Sequence, residues 1–248
     1  MAIINLEIYK AFSKKQYTAA LFLDIEGAYD NVDLHILFER VNSLRIPTGY
    51  KSFLANFLGP RGVRFYDSWA LCGERRISRG LPQGAVLSPL LFNIYVSDIL
   101  KQLPHTCTSI QFADDFTVMS SGPNAAALLR NLKEAFLSVQ DWLASIELRL
   151  SVTKTQAIIF SKKCQEKLPE YIEMNHDRIR LVNKITYLGI TMDSRLTWIP
   201  HIKSINNRLY QYMNVFKWIT GPAWGINGTS ASRFINATIT AQIEWGAM

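Results

Sequence analysis

The segment Ile110-Gln111-Phe112-Ala113-Asp114-Asp115-Phe116-Thr117-Val118 sets two adjacent carboxylates between two short apolar runs, the pattern of strand, tight turn, strand. Negative charge concentrated at a hairpin tip is costly unless a cation neutralises it. A third carboxylate, Asp24, closes the apolar run in Leu21-Phe22-Leu23-Asp24-Ile25-Glu26-Gly27-Ala28-Tyr29-Asp30. Acidic groups at two strand ends that meet in space are what a two-metal phosphoryl-transfer site requires. The plainer alternatives are a solvated turn for Asp114-Asp115 and a helix cap or turn for Asp24.

Several elements must position these groups. Ile4 to Phe12 reads as a helix and Thr18 to Leu23 as the buried strand that delivers Asp24. Helices follow over Leu34–Leu44 and Tyr50–Leu58, split by Pro47, and then a strand pair, Val63–Tyr66 and Trp69–Ile77. Arg79-Gly80-Leu81-Pro82-Gln83-Gly84 is a loop, because its two glycines and proline leave it little regular structure. A helix follows Pro89, with Ser88 as its expected N-cap. Leu128, Leu132, Phe136, Val139, Leu143 and Ile146 recur at spacings of three and four, which predicts one long amphipathic helix over Ala126–Ile146. Ala157–Phe160 and Ile185–Met192 read as strands. From Trp198 the chain turns helical, breaks at Gly221-Pro222 and resumes near Ser230, and most of the tail's aromatics are expected in the core.

Composition bounds the answer. The 248 residues, 48% of them apolar and 19% charged, suffice for one large domain or a domain with a satellite. No uncharged apolar run approaches the roughly 18 residues of a membrane span, and no basic n-region marks a signal peptide. Cys72, Cys107 and Cys164 are widely spaced and follow no metal-binding pattern, so reduced structural thiols in an intracellular protein are expected. Residues 1–150 hold 15 Lys/Arg against 14 Asp/Glu, whereas residues 151–248 hold 12 against 6. Most of the net charge of +7 therefore sits in the last two-fifths, either as a solvated basic face or as a surface that tracks a nucleic-acid backbone.

Four blocks, in this order, resemble the reverse transcriptase domain of non-LTR retrotransposons, close to the jockey-like elements. They are Phe22 to Asp30, Arg79-Gly80-Leu81-Pro82-Gln83-Gly84 continuing to Asn93, Phe112-Ala113-Asp114-Asp115, and Tyr187-Leu188-Gly189-Ile190. The resemblance covers nearly the whole chain. It implies an α+β fold, a right-hand polymerase palm of antiparallel sheet packed on helices, with partial fingers and a truncated helical thumb. The expected division is palm with partial fingers over residues 1–195 and partial thumb over 196–248. Only 23 residues precede Asp24, fewer than the family's fingers supply, so a piece of a larger polyprotein is expected.

The same resemblance implies roles. Asp24, Asp114 and Asp115 are the expected ligands of two Mg²⁺ ions, with Mn²⁺ as a possible substitute. Lys154 is placed as a proton donor to the leaving pyrophosphate. Tyr29, five residues after Asp24, would crowd the sugar 2′-position, and Gln83 with Gly84 would contact nucleotide and template. Tyr187, Leu188 and Gly189 resemble the hairpin that grips the primer terminus, a plain strand with a glycine bulge being the alternative, and Asp30 reads as structural. Lys203, Arg208 and Lys217, interleaved with aromatics, would meet phosphates without reading sequence.

The expected partners are an RNA template, a DNA primer and deoxynucleoside triphosphates, with work at nuclear DNA. A catalytically silent remnant that only binds nucleic acid is the main alternative. An RNA-dependent RNA polymerase or nucleotide cyclase is a third reading, opposed by Tyr29 and by the Leu81-Pro82-Gln83-Gly84 loop.

Overall fold

In the computed structural model the described residues are 1–163, 169–221 and 224–246; Cys164, Pro222, Ala247 and Met248 fall outside them. The chain runs α1 (Ala2–Ser13), β1 (Tyr17–Leu23), α2 (Leu34–Ser43), α3 (Thr48–Leu58), β2 (Arg61–Asp67), β3 (Ala70–Ile77) and α4 (Ser88–Tyr95). There follow β4 (Thr108–Phe112), β5 (Asp115–Gly122), α5 (Ala125–Ser145), β6 (Gln156–Phe160), β7 (Tyr171–Met174) and β8 (Asp177–Leu181). The chain continues through β9 (Lys184–Tyr187), β10 (Ile190–Asp193), α6 (Ile199–Ile219), α7 (Gly228–Ile235) and α8 (Ala241–Gly246).

Six strands form the main sheet in the order β4-β5-β1-β6-β8-β7, antiparallel except where β6 runs parallel to β8. β1 is central, and its apolar run follows from burial on both faces. Alternation sends Ala19, Leu21 and Leu23 to one core cluster and Ala20 and Phe22 to another. The first cluster is closed by α5, whose Leu128, Leu132, Phe136, Val139 and Leu143 are buried as their spacing predicts. Each such burial contributes roughly 1.5–3 kcal/mol. Asn124 starts α5 by accepting from the amides of Ala126 and Ala127. On the other face Ile4 and Ile8 of α1 pack with Phe22, Met119 and the hairpin β9–β10.

The sequence reading is corrected at four places. The apolar pattern of Ile185–Met192 reads as strand throughout, but it is two strands turned at Leu188-Gly189, the hairpin the resemblance implies, and both turn residues have positive φ (49° and 79°). β7 and β8, for which no strand was expected, form a hairpin with Asn175 in the left-handed region. Ser88 is not the cap of α4 but its first residue; its hydroxyl donates to Pro82 O at 2.6 Å and closes the intervening loop. The aromatics of α6 are not core: Tyr210 and Trp218 are exposed, because α6 touches β10 and α8 and buries only His201. Cys72 and Cys107 are free thiols. Among the described residues no helix is long and apolar enough to cross a membrane.

Candidate active site

The β4–β5 hairpin turns through just two residues, since Phe112 pairs with Asp115. Ala113 takes φ 54°, a left-handed conformation that costs a residue with a Cβ about 1–3 kcal/mol. Gln111 braces this turn by donating from Nε2 to Ala113 O at 3.1 Å. The result is an exposed Asp114 at the tip and a half-buried Asp115 at the head of β5.

Asp24 arrives from the neighbouring strand. The last β1–β5 pair is Leu23 with Phe116, and one further step of that register sets Asp24 beside Asp115. Asp24 is held on its other side by β6's approach: Ser151 N donates to Asp24 O at 2.8 Å, and Asp24 N donates weakly to Thr155 Oγ1 at 3.4 Å. Its Oδ2 is buried without a hydrogen-bond partner, and Lys154 Nζ stands 3.6 Å from it.

These carboxylates feel one another. Burial, then the charges of Asp114 and Asp24, lift the Asp115 carboxyl above its usual range. Burial, then the Asp114 charge, also raises the Tyr29 phenol, which stays protonated. The half-exposed Tyr29 ring stacks on buried Phe92, with centroids 5.0 Å apart.

The Gly80–Gly84 loop is bolted to the turn that carries Tyr29 and Asp30. Gly80 N donates to Val32 O at 2.8 Å, and Leu81 N to Tyr29 O at 2.7 Å. Arg79 Nε reaches Asn31 O at 3.0 Å, and Gln83 Nε2 donates to Asp30 Oδ1 at 2.8 Å. A Cβ on Gly80 would stand 2.6 Å from Asp30 O, so the close approach demands glycine. Gly84, with φ 80°, has open space where a Cβ would lie.

Tyr187 is placed differently from what a gripping side chain needs. Its ring is buried, 5.0 Å from Phe22, and its hydroxyl faces Thr117 rather than the surface. The exposed part of that motif is the turn: Trp245 Nε1 donates to Leu188 O at 3.0 Å and the indole lies against Gly189.

Thus Asp24, Asp115 and Lys154 are brought together, with Asp114 at the adjoining tip and Tyr29 within reach of its charge. Gln83 and Gly84 lie on the neighbouring loop. Sequence reasoning missed Arg61, whose guanidinium reaches the carbonyls of Arg79 and Gly80, and the anchoring of Gln83 by Asp30. These contacts span 18 to 53 residues, so no local spacing announces them. Among the described residues no group of three or more His, Cys, Asp or Glu could by itself hold a metal ion. The donor set nevertheless suits a hard cation: a buried Asp24 oxygen that has only the Lys154 ammonium 3.6 Å away and no hydrogen bond among the described residues, and an Asp115 that burial and like charge leave unfavourable as an anion. Mg²⁺ is commonly held by one or two carboxylates plus substrate phosphates rather than by an all-protein cage.

Comparison with known proteins identifies the family. The family profile described as reverse transcriptase (RNA-dependent DNA polymerase) matches residues 3–192. The chain is 30% identical over 224 residues to the probable RNA-directed DNA polymerase from transposon BS of Drosophila melanogaster, which aligns with 87% of this chain and 24% of that protein. It is 28% identical over 229 residues to the RNA-directed DNA polymerase from mobile element jockey of the same organism, with 89% and 24% covered. The chain thus spans about a quarter of these relatives' length. Among solved structures, apo telomerase from Candida tropicalis truncated from its C-terminal domain superposes with a TM-score of 0.54 at 17% identity, covering 79% of this chain and 38% of that one. That likeness shows a shared right-hand polymerase fold.

Proposed function

Since this chain belongs to the reverse transcriptase (RNA-dependent DNA polymerase) family, we propose that it carries the palm of an RNA-directed DNA polymerase, a nucleotidyltransferase that extends a primer 3′-hydroxyl on an RNA template. The observation that carries the reading is the meeting of Asp24 with the Asp114-Asp115 hairpin beside Tyr29. In this reading Asp24, Asp114 and Asp115 hold two divalent cations, Mg²⁺ or in its place Mn²⁺. When bound, such ions supply activation of the attacking hydroxyl and charge neutralisation at the leaving pyrophosphate.

The chain's own groups do the rest. Lys154, poised by Asp24, would hand a proton to the pyrophosphate oxygen as the bond to the α-phosphate breaks. Tyr29, backed by Phe92, would occupy the space a ribonucleotide's 2′-hydroxyl needs, and so would select deoxynucleotides by exclusion. Gln83, fixed by Asp30, would touch nucleotide and template, with the open backbone at Gly84 admitting close approach. Primer grip would fall to the backbone turn at Leu188-Gly189, with the buried Tyr187 supporting it from beneath. The helices beyond residue 195 would form part of a thumb, and the working place would be nuclear DNA.

The test is competition between deoxynucleotides and ribonucleotides on a primed RNA template. Wild type should prefer deoxynucleotides, and Tyr29→Ala should erode that preference by about 10-fold or more, the weight of a single steric exclusion. A wild type that prefers ribonucleotides would refute the reading.

A further inference from the structure

The hairpin β9–β10 turns through two residues, since Tyr187 pairs with Ile190, and both Leu188 and Gly189 have positive φ. A two-residue turn of this hand favours Asn-Gly, because a bulky side chain at positive φ crowds its own backbone. Gly189 suits its place, whereas Leu188 does not. A turn that its own residues hold poorly needs a brace from outside, and α8 supplies one. Trp245 Nε1 donates to Leu188 O at 3.0 Å, and the same nitrogen lies 3.3 Å from where a Cβ on Gly189 would stand. Trp245 is itself 56% exposed, so the indole lies on the surface of the turn and fills no core.

Contacts close a ring around this hairpin. α6 starts against β10, where Thr191 N donates to Nδ1 of the buried His201 at 3.3 Å. Further along α6, Arg208 Nη1 donates to Gln242 Oε1 of α8 at 3.2 Å. α8 then returns to the turn through Trp245. The helical tail thus holds the hairpin at the strand it leaves from and again at the tip. The hairpin's inner side meets the strands that carry the carboxylates. Tyr187 sets its ring 5.0 Å from Phe22 and faces its hydroxyl to Thr117, and Phe22 and Thr117 are cross-strand partners. Alternation puts Asp24 on the face of Phe22 and Asp115 on the face of Thr117. The residue that enters the turn therefore rests on a pair two residues of strand, about 7 Å, from the carboxylates.

We propose that Trp245 is a positioning residue for the primer terminus: its indole N–H fixes the Leu188 carbonyl, and with it the turn, where a 3′-hydroxyl can be presented to Asp24 and Asp115. The inference rests on the polymerase reading for the identity of the bound end. Trp245 acts through the turn and does not touch the reacting atoms. A platform for a base needs only the ring face, whereas a brace needs the N–H, and the N–H is the group the turn engages. Loosening the turn leaves a duplex its other contacts, so affinity survives while the primer end wanders. A small displacement of a reacting group costs rate far more than binding.

The test uses the full chain and a primed RNA template with 2-aminopurine as the primer's 3′-terminal base. Three readouts are compared: fluorescence anisotropy of the probe, affinity for the duplex, and single-turnover addition of one deoxynucleotide. Wild type should immobilise the probe. Trp245→Phe keeps a ring but no donor; it should melt and bind the duplex as wild type does, yet leave the probe mobile and add the nucleotide about 10-fold more slowly. Trp245→Ala should slow addition by about 100-fold, again without loss of affinity. A merely structural tail would lower the Tm or the duplex affinity in step with the rate, and a stacking platform would be restored by Trp245→Phe. Either result overturns the proposal, as do variants that equal wild type or a wild type whose probe stays as mobile as in the free duplex. Immobilisation needs no catalysis. A wild type that fixes the primer end and adds nothing, beside variants that free it, would refute the polymerase reading and leave this one standing.

Discussion

Replacing Gly80 with alanine tests whether the loop and the Asp24–Asp30 turn act as one unit. The new Cβ would lie 2.6 Å from Asp30 O and 2.9 Å from its carbonyl carbon and Cα, all backbone atoms with no flexible end to swing aside. Gly80 also has φ 78°, where a Cβ costs about 1–2 kcal/mol. Relief of the overlap must part the two segments and strain the bonds Gly80 N to Val32 O and Leu81 N to Tyr29 O, each worth roughly 0.5–1.5 kcal/mol. Together these give roughly 2–5 kcal/mol, or a Tm lowered by about 10 °C in a chain of this size. Gly84→Ala is the control: its φ is 80° but the space is open, so only the backbone term applies, about 1–2 kcal/mol. Deoxynucleotide incorporation at a temperature where both variants are folded should fall about 100-fold in Gly80→Ala, because Gln83 and Tyr29 are displaced together. If Gly80→Ala melts and turns over like Gly84→Ala, the two segments are not coupled and the reasoning fails.

Further predictions address single groups. The folded state holds the Asp115 proton more tightly than the unfolded chain, so this group favours folding at low pH and loses that contribution as pH rises through its folded value. Asp115→Asn should therefore raise the Tm at about pH 8, with the gain shrinking towards pH 4, while incorporation is lost; a lower Tm at about pH 8 would contradict this. Lys154 is largely exposed, so Lys154→Ala should shift stability by less than about 1 kcal/mol in urea unfolding, yet slow the chemical step in single-turnover measurements. Equal rates for the two proteins would remove Lys154 from the chemistry. The buried Tyr187 hydroxyl faces Thr117 Oγ1, but neither is within full hydrogen-bond reach of a partner among the described residues, so Tyr187→Phe should be neutral or stabilising in thermal melts. A loss of more than about 1 kcal/mol would show that the hydroxyl has a partner after all.

Much of the framework around the candidate site was legible because its signals are local. The unbroken apolar run of β1 requires burial on both faces, and a strand so placed delivers Asp24 to an end. The stripe of α5 needed only helical spacing. What escaped depends on contacts remote in sequence or on backbone conformations that the residue types do not advertise. Leu188 gives no hint of positive φ, so the apolar pattern of Ile185–Met192 alone resembles one strand, and only the family resemblance implies the hairpin found there. Asn175 did offer such a hint, flanked by the alternating Ile172, Met174 and Ile179, and the β7–β8 hairpin could have been found from it. The tail's aromatics looked like core because aromatic residues at helical spacing usually are, yet α6 has too few neighbours to cover Tyr210 and Trp218. Asp30 was read as structural; it anchors the side chain of Gln83, a contact reached only through the fold.

The central claim is that Asp24 and the Asp114-Asp115 hairpin form a site for template-directed phosphoryl transfer. Extension of a DNA primer on an RNA template with deoxynucleotides and Mg²⁺, by wild type and by Asp114→Asn in parallel, tests it most directly. The account predicts extension by wild type and none by the variant, with both binding the primed template equally. Extension that persists in Asp114→Asn, or a folded wild type that binds the primed template and adds nothing, would contradict it.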